Sequence, residues 1–185
     1  IYVLQVPGIQ AAGDIIDGYR GADPESRISA FERAVSRNSF AYQEISEQIA
    51  QQAMSASVDP NMSDDIRQRY IALAEVELGK LLERKPGDAR IHVFVGTFYR
   101  SIGNLELAEK HMAEARKLSP KKQSIIAQQG IVAYSRGNIE QARDYFKVAF
   151  ELEESNIEAR EYYAAMLFAN NEGEAGKALA EDKSH

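Results

Sequence analysis

The chain has no cysteine, no tryptophan and only five prolines. Without thiols there is no disulfide framework and no thiolate metal site, so cysteine usage leaves the redox compartment open. No apolar run approaches the roughly 18–20 residues that a bilayer span needs, which predicts no membrane-spanning segment. An excess of basic residues is also lacking: 22 Lys and Arg stand against 28 Asp and Glu, a net charge of -6. That is the wrong sign for releasing counterions from a phosphate backbone, so nucleic acid is not an expected partner. The chain begins at Ile1 and has no basic stretch leading into an apolar one, which reads as a piece of a longer protein, not a secreted precursor.

Catalytic signatures are missing as well. There is no His-Glu-x-x-His, no calcium-loop pattern and no Gly-x-Ser-x-Gly, and Gly176-Lys177 lacks the rest of a phosphate loop. The histidines are His92, His111 and the terminal His185; the first two read as partly buried structural residues and not as ligands. Acidic runs such as Glu151, Glu153 and Glu154 read as a solvated helix end. The expectation is therefore no catalytic residue, no cofactor and no metal ligand: not an enzyme.

A repeat is plainly present. Taking residues 89–122 and 123–156 as two 34-residue units, Gly96 and Gly130 share position 8, and Gly103-Asn104 and Gly137-Asn138 share positions 15 and 16. Ala108 and Ala142 share position 20, Met112 and Phe146 position 24, Ala115 and Ala149 position 27, and Leu118 and Leu152 position 30. Pro120 at position 32 has Glu154 as its counterpart. Small residues at positions 8 and 20 let two helices of a hairpin approach closely. Gly can take the left-handed conformation that ends the first helix, Asn caps the second, and Pro stops it. The predicted crossings are Gly96/Ala108 and Gly130/Ala142.

The pattern fades towards both ends. Residues 63–84 read as a second-position helix capped by Ser63, with Ala74, Leu78 and Leu81 in register. Its first-position partner is predicted over residues 40–56, with Tyr42, Ile45, Ile49 and Ala53 on one face. Asp23-Pro24 opens a further helix carrying Ile28, Phe31 and Val35. Pro7-Gly8 is expected to break the chain, followed by a short amphipathic helix with Ile9, Ala12, Ile15, Ile16 and Tyr19 on its apolar face. Residues 157–170 form a third first-position helix, with Ala164 in place of Gly, and residues 172–182 a frayed last one. The organisation expected is an N-terminal segment 1–22, divergent helical repeats 23–88, units 89–122 and 123–156, and a partial unit 157–185. Unit 89–122 carries 7 basic and 3 acidic residues between acidic neighbours, which reads as charge complementarity between repeats.

These motifs resemble the tetratricopeptide repeat family. The resemblance implies an all-α fold, a right-handed superhelical stack of antiparallel helical hairpins (an α-solenoid), whose first-position helices line a concave groove. In that family positions 2, 5, 9, 12 and 13 point inward. Here they are Arg90, Val93, Thr97, Arg100 and Ser101, then Ser124, Ala127, Ile131, Tyr134 and Ser135, then Glu158, Glu161, Ala165 and Phe168. Members that clamp a C-terminal carboxylate on a chaperone carry Lys and Asn at positions 5 and 9; Val93 and Thr97 exclude that activity here. The implied partner is a protein or an extended peptide, with Arg90 and Arg100 placed to pair its carboxylates. Most aromatics, among them Phe94, Phe98, Tyr99, Tyr145, Phe146, Phe150, Tyr162 and Tyr163, read as packing between stacked helices, with Tyr134 the one expected to face the groove.

A narrower resemblance rests on residues 81–90 (LLERKPGDAR), 96–100 (GTFYR) and 118–123 (LSPKKQ), with Asn38-Ser39-Phe40 and Gln43-Glu44-Ile45 before them. Together they look like the soluble repeat tail of bacterial O-antigen polymerase or ligase-like membrane proteins. That would make the chain a non-catalytic interaction scaffold on the soluble face of an inner-membrane protein, with any glycan transfer performed elsewhere. Two other readings stay open: a free-standing adaptor or assembly factor, and a glycan-binding module stacking sugars on Tyr134, Tyr162 and Phe168.

Overall fold

The computed structural model describes residues 2–181, with side chains described from Val6 onwards. Those residues form ten helices and no strand: α1 Tyr2–Arg20, α2 Pro24–Ser36, α3 Tyr42–Val58, α4 Asp64–Arg84, α5 Ala89–Ser101, α6 Leu105–Leu118, α7 Gln123–Ser135, α8 Ile139–Leu152, α9 Ile157–Ala169 and α10 Gly173–Glu181. The chain divides into two compact units, Ile1–Pro86 and Gly87–His185. His185, and Asp182 at the end of the expected last helix, lie outside the described residues.

In the first unit α1 pairs with α2 and α3 with α4. The N-terminal expectation is corrected in two ways. Pro7-Gly8 does not break the chain: α1 runs through Pro7 for 19 residues. Nor does α1 bury the predicted apolar face. Ile9 is 71% exposed, Ile16 49% and Tyr19 45%, whereas Ala11 is fully buried and Asp14 nearly so. Gly18 is the chief reason. A Cβ there would lie 2.8 Å from the ring of fully buried Phe31. Close approach to that ring, not apolarity, selects the inward face. Buried Asp14 is met by Arg33 Nε at 3.3 Å and Arg37 Nε at 3.0 Å, which offsets its desolvation.

Between α3 and α4 lies a buried polar knot. Tyr42 donates its hydroxyl hydrogen to Glu77 Oε2 at 2.8 Å. Lys80 reaches Glu77 Oε1 at 2.7 Å, and the Arg84 guanidinium lies 3.7 Å over the Tyr42 ring. Burial, then the hydrogen bond to Glu77, pushes the Tyr42 phenol up to about 12. Ser63 caps α4 through Ile66 N, as its sequence predicts.

The second unit is built of hairpins α5/α6, α7/α8 and α9/α10. Gly103 and Gly137 end the first helices at φ +81° and +78°, the left-handed region where glycine pays no Cβ penalty. Asn104 and Asn138 then accept from Leu107 N and Gln141 N, capping α6 and α8. At the crossings, a Cβ on Gly96 would meet Met112 at 2.9 Å and Ala108 O at 3.2 Å. One on Gly130 would meet the Phe146 ring at 2.9 Å. Ala108 and Ala142 are fully buried. The glycine at position 8 therefore chiefly admits the large side chain at position 24, a refinement of the predicted Gly/Ala contact. In the third hairpin the two small residues are exchanged: Ala164 holds position 8 and Gly176 position 20, where a Cβ would come within 3.1 Å of Ala164 O. Asn171, at φ +63°, takes the turn position that glycine holds in the other two.

Candidate partner-binding groove

The wall expected to bind is built from α5, α7 and α9 of the second unit, and each starts at a side-chain cap or anchor. Asp88 Oδ1 accepts from Arg90 N at 2.9 Å, and Asn156 Oδ1 from Ala159 N at 3.0 Å. Gln123, at the head of α7, donates to Ala149 O at 2.8 Å and accepts from Asn156 Nδ2 at 2.8 Å. That pair of bonds fixes where α7 and α9 begin relative to the end of α8. Ion pairs join successive repeats, Arg136–Glu109 at 2.9 Å and Arg143–Glu172 at 2.7 Å, but neither is the pairing read from the sequence: in the first the acid belongs to the basic unit 89–122, and the second does not involve that unit.

Two hollows lie on this wall. One, of about 260 Å³, is lined by Arg90 and Val93 of α5 and by Lys122, Ser124 and Ile125 at the head of α7. The second, of about 100 Å³, lies between Ser124, Ala127, Gln128 and Ile131 of α7 and Glu158, Ala159 and Tyr162 of α9. Ser124 borders both and is exposed.

The expected groove residues differ in what they can offer. Val93 is half-buried against Ala108, Met112 and Val132, and Ile131 against Ala133, Ala142, Phe146 and Met166; each shows only one edge. Thr97 donates its hydroxyl hydrogen to Val93 O at 2.9 Å, so its methyl group and oxygen lone pairs remain. Arg90 is held by Asp88, Nη2 to Oδ2 at 3.0 Å, and that bond keeps the Asp88 carboxyl below its usual range. A partner carboxylate must therefore compete with Asp88 for Arg90. Arg100 is half-buried with its Nε unsatisfied. Glu158 and Glu161 are exposed.

Repeat position 12 is aromatic in two consecutive units: Tyr134 is 53% exposed and Phe168 52%. Tyr162 differs. Its ring stacks on Phe146 with centroids 5.0 Å apart, and burial, then the Glu158 charge, raises its phenol pKa. It belongs to the packing more than to a sugar platform. Gln128, which the repeat positions did not single out, lines the second hollow with Oε1 buried and without a hydrogen-bond partner. Among the described residues no three His, Cys, Asp or Glu side chains stand together as a metal cage, and no helix is long and apolar enough to cross a membrane.

Residues 130–156 match the tetratricopeptide repeat model. Among solved structures the chain is similar to MamA from Desulfovibrio magneticus RS-1, at 14% identity over 94% of this chain and 90% of that one, with a TM-score of 0.62. It is similar to Pseudomonas aeruginosa pilF at 17% identity over 94% and 76%, TM-score 0.60. A thermophilic TPR protein of Thermus thermophilus matches at 19% identity over 94% and 91%, TM-score 0.55. Comparison with curated proteins gave no match. At these identities the likeness is one of fold, and the fold is the tetratricopeptide-type α-solenoid.

Proposed function

We propose that the second unit is a binding scaffold that holds an extended segment of a partner protein along the wall of α5, α7 and α9. The observation that carries this reading is continuity: the two hollows share Ser124. A peptide advancing about 3.3 Å per residue can cross both without leaving the wall. The lining describes the ligand. Val93, Ile131 and Tyr134 suit apolar side chains, and the Arg90, Lys122 and Arg100 end favours acidic residues. The Glu158 and Glu161 end favours basic ones. A library of extended peptides with that charge order, titrated while amide resonances are followed, tests the proposal. Shifts should concentrate on α5, α7 and α9, and Ile131→Glu should abolish binding with the helical circular-dichroism signal intact. Shifts confined to the outer helices α6 and α8 would refute it.

A second proposal concerns the parent protein, a soluble tail of a membrane-bound O-antigen polymerase or ligase-like protein. It rests on the residue segments around 81–90, 96–100 and 118–123, and it gives this chain a scaffolding role with no share in glycan transfer. Several spanning helices encoded upstream of Ile1 would support it. A start codon immediately before Ile1 would instead favour a free-standing adaptor.

A further inference from the structure

The two described histidines meet. His92 on α5 and His111 on α6 bring their Nδ1 atoms to 3.2 Å, with ring centroids 5.5 Å apart and planes 32° apart. His111 stacks in turn on Tyr99, centroids 5.7 Å apart and planes within 8°. The helices that carry them are clamped a turn away, where Gly96 admits Met112 and the backbone of Ala108. The two nitrogens are therefore held in place by packing, without a loop to order.

Their spacing has a chemical meaning. A tetrahedral zinc ion with Zn–N bonds of about 2.0–2.1 Å separates two imidazole nitrogens by roughly 3.3–3.4 Å. A tetragonal copper or nickel ion with bonds of similar length holds adjacent nitrogens about 2.9 Å apart. The observed separation lies between the two. We infer that His92 and His111 form a two-imidazole chelate for a divalent transition-metal ion of the Zn²⁺, Ni²⁺ or Cu²⁺ class, bridging the two helices of one repeat. With no third His, Cys, Asp or Glu among the described residues completing a cage, water fills the remaining positions. Chelation requires both rings as their Nε2–H tautomers, so the ion replaces the Nδ1···Nδ1 contact.

Glu114 follows His111 by one helical turn and supplies compensating negative charge, although its carboxylate is also paired with Lys117 at 2.6 Å.

The test titrates the full chain calorimetrically with ZnCl₂, NiCl₂ and CuCl₂ and follows the copper complex by electron paramagnetic resonance. The expected result is saturable binding of one ion and hyperfine splitting from two nitrogens. Losing a direct ligand should weaken binding by no less than the roughly 10–100-fold typical of losing an outer-shell partner, in both His92→Gln and His111→Gln. His111→Phe keeps the stack on Tyr99 without a nitrogen, and it too should lose the ion while remaining helical. His185→Gln should bind as the parent does. Absence of saturable binding, or binding that survives His111→Phe or disappears in His185→Gln, would overturn the assignment.

Discussion

Adding one methyl group should stabilise the protein at one glycine and fail to do so at another. Gly79 lies inside α4, and a Cβ there would meet nothing within 4 Å. Gly79→Ala should therefore gain the helix propensity that glycine forfeits, up to about 1 kcal/mol. Gly130 lies inside α7 and gains the same propensity, but its Cβ would fall 2.9 Å from two Phe146 ring atoms and 3.0 Å from a third. The ring has little room to retreat. Phe146 is 2% exposed and stacked on Tyr162 at 5.0 Å. Overpacking of this kind costs about 1–3 kcal/mol, so Gly130→Ala should be neutral to destabilising by roughly 2 kcal/mol once the propensity gain is subtracted. Gly130→Leu, with three more heavy atoms, should exceed it. Urea unfolding followed by circular dichroism measures both. A further check is the double variant Gly130→Ala/Phe146→Leu, in which the smaller side chain should recover part of the loss, a coupling expected only for residues in contact. Equal stabilisation by Gly79→Ala and Gly130→Ala would show that the helices do not cross at position 8, and the repeat register would fall with it.

Three other outcomes follow from the same geometry. Tyr42→Phe removes the hydroxyl that donates to Glu77, whose side chain is 2% exposed. A buried carboxylate short of a donor should cost about 1–3 kcal/mol in chemical denaturation. Gly137→Ala forces a Cβ onto a residue at φ +78° and should cost roughly 1–2 kcal/mol, although its Cβ would touch nothing. Finally, the His111 pKa lies near 4 when folded against an ordinary 6.5. Between those values the unfolded chain binds more protons, so this residue's contribution is present above pH 6.5 and is lost as pH falls to about 4. The full shift would be worth roughly 3 kcal/mol, and solvent around a half-exposed ring cuts that to about 1–2 kcal/mol. The slope of stability over that window should flatten in His111→Phe; an unchanged slope would place the titration elsewhere.

The hairpins of residues 89–156 were legible because their determinants are local. The left-handed turn at Gly103 and Gly137 and the caps of Asn104 and Asn138 depend on neighbours a few residues away. The close crossing at Gly96 and Gly130 depends on residues one helix onward. The third hairpin was half legible. Ala164 reads as a departure when position 8 is inspected alone, yet the backbones need only one glycine between the two helices, and Gly176 supplies it from the other side. Asn171 likewise stands in for a turn glycine, since a short polar side chain tolerates the left-handed region.

The N-terminal helix shows where the reasoning stops. Periodicity weighs how apolar each side chain is, and by that measure Ile9, Ile16 and Tyr19 belong inside. What decides the face is the partner: buried Phe31 brings a ring that Gly18 accommodates, and Arg33 and Arg37 supply the guanidinium groups that let Asp14 turn inward. The same blindness explains the groove. Sequence position makes Arg90 a cation for a partner's carboxylate, and the structure shows Asp88 already holding it. Gln128 reads as a surface amide until its oxygen is found buried beside α9. A residue's chemistry can be read from its own identity, but its availability is set by the side chain opposite. Position 12, where Tyr134 and Phe168 remain half-exposed, is therefore a part of the expected wall whose apolar surface packing has not used up.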